Sequence, residues 1–280
     1  MAYLTVGKGC ILSHSIEDYP DGLVIPIDKP YRWTSADVIR KVKWMAVKHF
    51  GKRNLKVGHA GTLDPLATGV LLVCIGKATK LAEEFQKAPK QYIAGVTFGA
   101  TTASYDLEKE VDALCPLDGV SEDALRTILP SFTGEQDQIA PLFSAKSVDG
   151  VRVYEIARKR YKAGLPVDDL GVLHASRITV YDLQLISFIL NGKGVSPSGD
   201  DSHINSKASS RINVAKVPAG LPQAEILVDC SKGTYIRALA RDLGEALGSG
   251  AFLHSLRRTR NAGFKVEDAL SMEEVGRVIP

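Results

Sequence analysis

Residues 57–70 (VGHAGTLDPLATGV) place one carboxylate among glycines and apolar side chains, a combination that could support nucleophilic chemistry. Pro65 disfavours helical geometry at Asp64, so this carboxylate is predicted to lie in a shaped loop. Because Leu63 and Leu66 flank it, we expect partial desolvation, which raises the pKa of Asp64 unless a cation keeps it ionised. An ionised, poorly hydrated carboxylate is a good nucleophile. The alternative is structural: an Asx turn, or a cap on a helix that begins at Pro65.

Arg237 is a second candidate, because it falls in the first turn of a predicted helix. A cation there opposes the positive end of the helix dipole, and a buried carboxylate or a bound anion would justify its position. Thr234 is predicted to cap this helix, which ends before Gly248. Its apolar face comprises Ile236, Leu239, Ala240, Leu243 and Leu247.

The sequence lacks the common local signatures of metal and nucleotide sites. The four cysteines form no CxxC pair, and the six histidines show no HxxxH or HExxH spacing. We therefore expect reduced thiols and no metal. Residues 76–79 (GKAT) follow a predicted strand and suggest a phosphate loop. That loop would need glycine at position 71 and Ser or Thr at position 78, where the chain has Leu71 and Ala78.

Strands and helices are mixed irregularly along the chain, which predicts an α+β fold rather than a doubly wound sheet. The predicted strands are 69–76, 92–98, 178–190 and 224–230. A helix capped by Ser35 is predicted to bury Val38, Val42 and Met45 and to expose Lys41, Lys48 and Lys52. A further helix, before Gly164, is predicted because Val153, Ile156, Ala157 and Tyr161 repeat at helical spacing.

The length of 280 residues fits one large domain, predicted to span 1–280. Residues 191–223 are rich in Gly, Ser, Asp, Lys and Pro and are predicted to form a surface insertion between two strands. The longest apolar run, 69–76, is far shorter than the roughly 20 residues of a membrane helix, and residues 1–10 contain no apolar signal core. We expect a cytoplasmic protein without membrane contact, and a monomer.

Positive charge is concentrated in two windows. Residues 29–56 hold nine Lys or Arg and one acid, and residues 231–265 hold seven and two, although the net charge of the chain is only +3. If the two windows meet, they form a positive face suited to a phosphate backbone. Two solvated helix faces are the alternative.

Residues 58–69 (GHAGTLDPLATG) resemble the catalytic signature of TruB-type tRNA pseudouridine synthases. The resemblance continues in family order and covers about residues 22–270. It is carried by DKPYRWTS at 28–35, KQY at 90–92, GATTASYD at 99–106, PLFSA at 141–145 with Gly150 and Tyr154, CSKGTYIR at 230–237, and LRRT at 256–259.

The resemblance implies the pseudouridine synthase fold, a largely antiparallel central sheet flanked by helices and loops. It also implies isomerisation of a uridine in the T loop of tRNA, at position 55, without a cofactor or a protein partner. The N-glycosidic bond breaks, the base turns, and a carbon–carbon bond forms to the same ribose. Asp64 is the implied nucleophile, and attack on the ribose and attack on the uracil ring both remain open.

Six further roles follow from the resemblance. Tyr92 is implied to stack on the extruded uracil and to take part in proton transfer from C5, and Arg237 to pair with the catalytic carboxylate. The implied substrate-side residues are His59 on the splayed T loop, Tyr235 and Leu256 in the pocket, and Lys29 as a structural lysine near the site.

Three features depart from the family pattern. Arg32 replaces a usual glycine, which is expected to change the local turn, and Lys146–Ser147 reverses a usual order. The insertion and the end at Pro280 leave no room for the PUA domain that many relatives carry.

A non-catalytic tRNA-binding or RNA-folding protein on the same scaffold is the alternative function. The intact Asp64, Tyr92 and Arg237 favour the enzyme.

Overall fold

The computed structural model describes residues 3–144, 147–148, 151–165, 174–194, 212 and 214–280. The chain divides into two compact units. The first comprises Met1–Tyr92, Ser202–Ile212 and Leu256–Pro280, and the second comprises Ile93–Asp201 and Asn213–Ser255. The prediction of one catalytic domain over 1–280 stays a prediction.

The described ranges contain both helices and strands. The helices are α1 Ser35–Phe50, α2 Ala82–Lys87, α3 Glu122–Ile128, α4 Val153–Lys162, α5 Ile236–Ala246 and α6 Met272–Val278. The strands are β1 Leu4–Thr5, β2 Leu23–Lys29, β3 Val57–Ala60, β4 Ala67–Ile75, β5 Lys90–Phe98, β6 Ala100–Thr102, β7 Val111–Leu114, β8 Gly134–Gln138, β9 Ser147–Val148, β10 Val151–Arg152, β11 Ser176–Ile189, β12 Gln223–Cys230, β13 Ala251–Asn261 and β14 Phe264–Lys265. No helix in these ranges is long and apolar enough to cross a membrane.

The strands of the first unit pair in the order β1-β2-β4-β13, with β3 also beside β4 and β14 beside β13. The pairings β2–β4, β3–β4 and β13–β14 are antiparallel, whereas β1–β2 and β4–β13 are parallel. In the second unit the order is β5-β12-β11-β8, and β11 is antiparallel to both β12 and β8. The predicted mixed fold with a largely antiparallel sheet is confirmed.

Strand β4 is apolar and buried from Val70 to Ile75 because both of its faces are covered. One face contributes Leu71, Val73 and Ile75 to a core that also contains residues of α1 and α6. The other face contributes Val70, Leu72 and Cys74 to a second cluster with Phe85. This double burial fixes the strand that directly follows the Asp64 loop.

Helix α1 begins one residue earlier than predicted. Its N-cap is Thr34, whose side chain accepts a hydrogen bond from the Asp37 N–H while the Asp37 carboxylate accepts one from the Thr34 N–H. The prediction that Ser35 caps the helix is therefore wrong, because this capping box satisfies the free N–H groups. The predicted division of faces is confirmed: Val38, Val42 and Met45 are buried, and Lys41, Lys48 and Lys52 are exposed.

Arg32 has a φ of 59°, in the left-handed region that glycine favours. Its Nη2 donates a hydrogen bond of 3.0 Å to the carbonyl of Ile212. Arg32 thus keeps the backbone conformation that the usual glycine would adopt at this position. Its side chain, which glycine lacks, makes a long-range contact within the first unit.

The predicted insertion joins the paired ends of β11 and β12, since Ile189 lies opposite Gln223. Its residues 195–211 and 213 lie outside the described residues, as do Ala145, Lys146 and Gly150. In α4, Val153 and Ala157 are buried. Tyr161, at the same helical spacing, is exposed, and Lys109 lies against its ring.

Candidate active site

Asp64 lies in the connection between β3 and β4 and is half-buried. Its carbonyl accepts a hydrogen bond from the Ala67 N–H at 3.1 Å, which makes Pro65 the second residue of a β-turn. No helix begins at Pro65, so the helix-cap alternative is excluded. Leu63 and Leu66 are buried on either side. The turn delivers the chain from Asp64 directly into β4.

The backbone beside Asp64 is held by α1. The hydroxyl of Ser35 accepts a hydrogen bond from the Leu63 N–H at 3.0 Å and donates one to the Leu63 carbonyl at 3.2 Å. Ser35 is buried and occupies the first turn of the helix. The Ser35 side chain therefore anchors the loop.

Lys29 is fully buried at the end of β2. Its ammonium donates hydrogen bonds to the carbonyls of Pro30, Trp33 and Pro65, the last at 3.1 Å. Burial lowers the pKa of Lys29 to about 7, and the field of the Asp64 carboxylate opposes that shift. The lysine thus links the connection between β2 and α1 to the turn that contains Pro65, and the charge of Asp64 acts on it.

The buried side chain of Arg258 donates hydrogen bonds to backbone carbonyls on both sides of the Asp64 loop. Its guanidinium donates to the carbonyls of Gly61, Thr62 and Val70, the last at 2.7 Å, and the residue is 1% exposed. Arg258 belongs to the second positive window of the sequence, but it adds no surface charge because its guanidinium is buried against these carbonyls. No local pattern distinguishes such an arginine from an exposed one.

Gly69 permits the close approach of β13 to β4. Its φ is 100°, and a Cβ at this position would lie 2.2 Å from the Arg258 carbonyl oxygen. Its N–H donates to Asp28 Oδ1 at 3.0 Å. Asp28 in turn accepts from Arg257 at both oxygens, at 3.2 and 2.7 Å. This ion pair and the Gly69 hydrogen bond join β2, β4 and β13 near the start of β4. The ion pair was not predicted from the sequence.

His59 lies on β3 opposite Val73 and is half-buried. Burial lowers its pKa, and the positive charge of Arg258 lowers it further. Its Nδ1 is buried, and no residue that the structure describes forms a hydrogen bond with this atom. The imidazole is therefore neutral near pH 7 and has an unused polar atom.

Tyr92 and Leu256 belong to the first unit, which ends at Tyr92 within β5 and resumes at Leu256 within β13. Tyr92 is buried on β5, and Leu256 is half-buried on β13, where it pairs with Ala67. Only Pro65 and Leu66 separate Ala67 from Asp64. The parallel pairing of β13 with β4 thus brings Leu256 close to the Asp64 loop within this unit.

Arg237 lies in the second unit, in the first turn of α5. Its Nε is 3.6 Å from Asp106 Oδ2, and both side chains are buried. Its Nη1 and Nη2 donate to the carbonyls of Ser104 and Phe143, each at 2.9 Å. A buried carboxylate was one of the two explanations predicted for this arginine. Asp106 was not predicted to be that carboxylate, although it is the last residue of GATTASYD at 99–106, one of the segments that carry the resemblance.

Tyr235 is the N-cap of α5, so the predicted cap Thr234 is wrong. The Thr234 hydroxyl instead donates to the Ser231 carbonyl. Gln138 bonds both backbone groups of Tyr235, accepting from its N–H at 2.8 Å and donating to its carbonyl at 3.2 Å. The Tyr235 ring packs on a cluster that includes Leu142. The predicted apolar face of α5 is confirmed, and its last member is Leu247.

The candidate residues thus divide between the units. The first unit contains Lys29, His59, Asp64, Tyr92 and Leu256, and the second contains Tyr235 and Arg237. In the first unit, the Asp64 loop is fixed by Lys29, Ser35 and Arg258. A role for Ser35 and Arg258 in holding this loop was not predicted from the sequence.

Two family descriptions match consecutive parts of the chain. "TruB family pseudouridylate synthase (N terminal domain)" matches residues 48–236, and "tRNA pseudouridylate synthase B C-terminal domain" matches residues 237–279. The chain belongs to the TruB family. The enzyme class predicted from the sequence, an isomerase that forms pseudouridine, is thereby confirmed.

Relatives of similar length support this TruB assignment. The chain is 42% identical over 256 residues to tRNA pseudouridine synthase B of Phocaeicola vulgatus, covering 91% of this chain and 92% of the relative. It is 35% identical over 253 residues to the enzyme of the same name from Deinococcus radiodurans, covering 90% and 78%.

Solved structures share the fold. One described as a Cbf5-Nop10-Gar1 complex matches with a TM-score of 0.58 and 26% identity. The match covers 92% of this TruB chain but only 54% of the solved chain. The chain therefore spans about half the length of that structural neighbour.

Proposed function

We propose that this TruB chain converts uridine to pseudouridine in the T stem-loop of tRNA, at position 55, with Asp64 as the catalytic carboxylate. The relatives named tRNA pseudouridine synthase B, which it matches over nine-tenths of its length, support tRNA as the substrate. The observation that supports the catalytic role of Asp64 is the structure of the loop that contains it. Its one carboxylate is half-buried between two leucines, on a backbone fixed by Ser35, Lys29 and Arg258.

The proposed reaction balances without a redox partner. Asp64 Oδ forms a transient bond to the nucleoside, at either the ribose or the uracil ring. The N1–C1′ bond breaks, the base turns, C5 bonds to C1′, and the bond between Asp64 and the nucleoside breaks again to regenerate the carboxylate. The proton on C5 leaves and N1 gains one, so the product is an isomer of the substrate. Because the base is stacked in a folded loop, it must be everted before it reaches Asp64.

The remaining roles follow the family resemblance. Tyr92 stacks on the everted base and moves the C5 proton, and Arg237 supports the carboxylate. His59 contacts the splayed loop, Tyr235 and Leu256 line the pocket, and Lys29 orders the turn. The proposed reaction uses neither a metal ion nor a cofactor. We further propose that the protein acts as a monomer in the cytoplasm.

The test measures release of tritium from tRNA transcript labelled at C5 of uridine. The wild-type chain should release tritium in proportion to pseudouridine formed, and Asp64→Asn should release none while keeping its affinity for tRNA. Asp112→Asn, at an exposed carboxylate of β7, is the matched control and should retain full release. Release by Asp64→Asn would refute its role. Binding without release by the wild type would favour the non-catalytic RNA-folding alternative.

Position is tested on transcripts that carry the label at single uridines. Release from position 55 alone supports the T-loop assignment, whereas release from another position replaces it. Because phosphate contacts release counterions, tRNA affinity should fall steeply as salt rises.

A further inference from the structure

A second concave site lies in the first unit, at the end of β4 that is remote from Asp64. The cavity has a volume of about 470 Å³, within the range of small-ligand sites. Strand β4 separates it from the Asp64 loop by eight residue steps, about 26 Å at the usual rise of a strand. The cavity is therefore distinct from the candidate active site.

Lysines dominate the rim of this cavity. Lys52, Lys56, Lys77 and Lys80 line it, with Glu17 as the acidic residue among its lining groups. Glu17 is already paired with Lys52, at 2.7 Å. The other three lysines are exposed, and none forms an ion pair with any residue that the structure describes. Several like charges around one concavity favour a bound anion.

The floor of the cavity is apolar. It is lined by Ile16, Tyr19, Pro20 and Leu55. The Tyr19 hydroxyl accepts a hydrogen bond from the Ser13 N–H at 2.7 Å, which fixes the ring. A flat heterocycle can stack on such a surface, since every base has an apolar face. The combination of apolar floor and cationic rim matches a nucleoside that carries a phosphate.

The rim is built on a fixed backbone. The Gly76 N–H donates to the Lys56 carbonyl at 2.9 Å, and the Thr79 hydroxyl donates to the Gly76 carbonyl at 2.8 Å. Gly22 packs so closely beneath this turn that a Cβ there would lie 2.4 Å from the Ile75 carbonyl oxygen. The phosphate loop suggested by residues 76–79 would need glycine at position 71 and a hydroxyl at position 78, where the chain has Leu71 and Ala78. Positive charge at this rim therefore comes from the lysine side chains.

We propose that this cavity binds a phosphorylated nucleoside, with the base on the apolar floor and the phosphate among Lys56, Lys77 and Lys80. The ligand is either a free nucleotide or one nucleotide of an RNA chain, because both present the same chemistry. The proposal is independent of the catalytic role of Asp64, and its probes contain no uridine.

The test is isothermal titration of the full-length chain with adenosine 5′-monophosphate, adenosine and inorganic phosphate at low salt. Fluorescence anisotropy of a labelled eight-nucleotide oligoadenylate forms the second arm. The pocket variant is Lys56→Ala/Lys77→Ala/Lys80→Ala. The matched control Lys8→Ala/Lys87→Ala/Lys216→Ala removes the same charge from exposed lysines outside this cavity and outside both basic windows. Thermal unfolding verifies that each variant folds, and the single changes Lys77→Glu and Lys80→Glu serve as a second set.

We expect the pocket variant to bind at least one probe tenfold more weakly than the wild type, and the control to stay within twofold. Loss of mononucleotide binding identifies a free nucleotide as a ligand, and loss of oligoadenylate binding alone identifies an RNA chain. Equal weakening in the pocket variant and the control would overturn the proposal, because a general charge effect would explain it. So would phosphate binding as tightly as the mononucleotide, or no effect of the pocket variant on either probe.

Discussion

The Ser35 hydroxyl forms hydrogen bonds to both backbone groups of Leu63, the residue that precedes Asp64. One side chain on α1 therefore fixes the position from which the carboxylate extends. Because Ser35 is buried, neither Leu63 group can turn to water for a replacement partner.

Ser35→Ala should lower both stability and turnover. The two buried Leu63 groups lose their partner, which costs about 1–3 kcal/mol in the free energy of unfolding. A small displacement of Asp64 should lower kcat for tritium release by roughly 10- to 100-fold. Ser121→Ala is the control: it removes the N-cap of α3 and should cost about 1 kcal/mol while leaving kcat unchanged. A normal kcat in Ser35→Ala would show that this anchor does not position the carboxylate.

Lys29 should make stability depend on pH. Its pKa in the folded state, about 7, lies below the ordinary value of 10.5, so the unfolded chain binds more protons between these values. The stabilising effect of raising the pH is therefore confined to about pH 7–10.5. Denaturant unfolding at pH 6.5 and pH 9 should show the wild type gaining stability relative to Lys29→Met. Lys43→Met, at an exposed lysine of α1, should keep the wild-type pH dependence.

Breaking the buried pair of Arg237 and Asp106 should be costly. Arg237→Met leaves the Asp106 carboxylate buried without its cation, at a cost of about 3–5 kcal/mol in the free energy of unfolding. Adding Asp106→Asn should recover part of that loss, since the residual charge is removed. Arg177→Met, which breaks an exposed pair with Glu135, is expected to leave stability unchanged. Additive losses in the double variant would refute the coupling.

Gly69→Ala should disrupt the pairing of β4 with β13. A methyl group would collide with the Arg258 backbone, in addition to the strain of a positive φ. Gly51→Ala separates the two effects, because Gly51 also has a positive φ but faces open space. We expect Gly51→Ala to cost about 1–2 kcal/mol and Gly69→Ala to cost clearly more, with loss of tritium release. Equal unfolding midpoints for the two variants would contradict this.

Local chemistry in the sequence was enough for several predictions about the elements. The apolar face of α5, the buried face of α1 and the irregular mixture of strands and helices follow from side-chain periodicity, which depends on near neighbours. The motif at 58–69 was long enough to predict the family, and Pro65 predicted that Asp64 lies outside a helix. The caps were less predictable: Thr34 and Tyr235, rather than Ser35 and Thr234, precede the two helices.

Tertiary structure decided which charges are interior and what they contact. Arg257 and Arg258 are adjacent and chemically identical, yet one pairs with Asp28 at the surface and the other is buried among the carbonyls of residues 61, 62 and 70. The pairing of Arg237 with Asp106, which are 131 positions apart in the sequence, was likewise decided by the tertiary structure. Such contacts depend on strand order and register, which bring distant residues together. Spacing along the chain carries no record of them, because a charged side chain has the same local propensity whether its partner is water or protein.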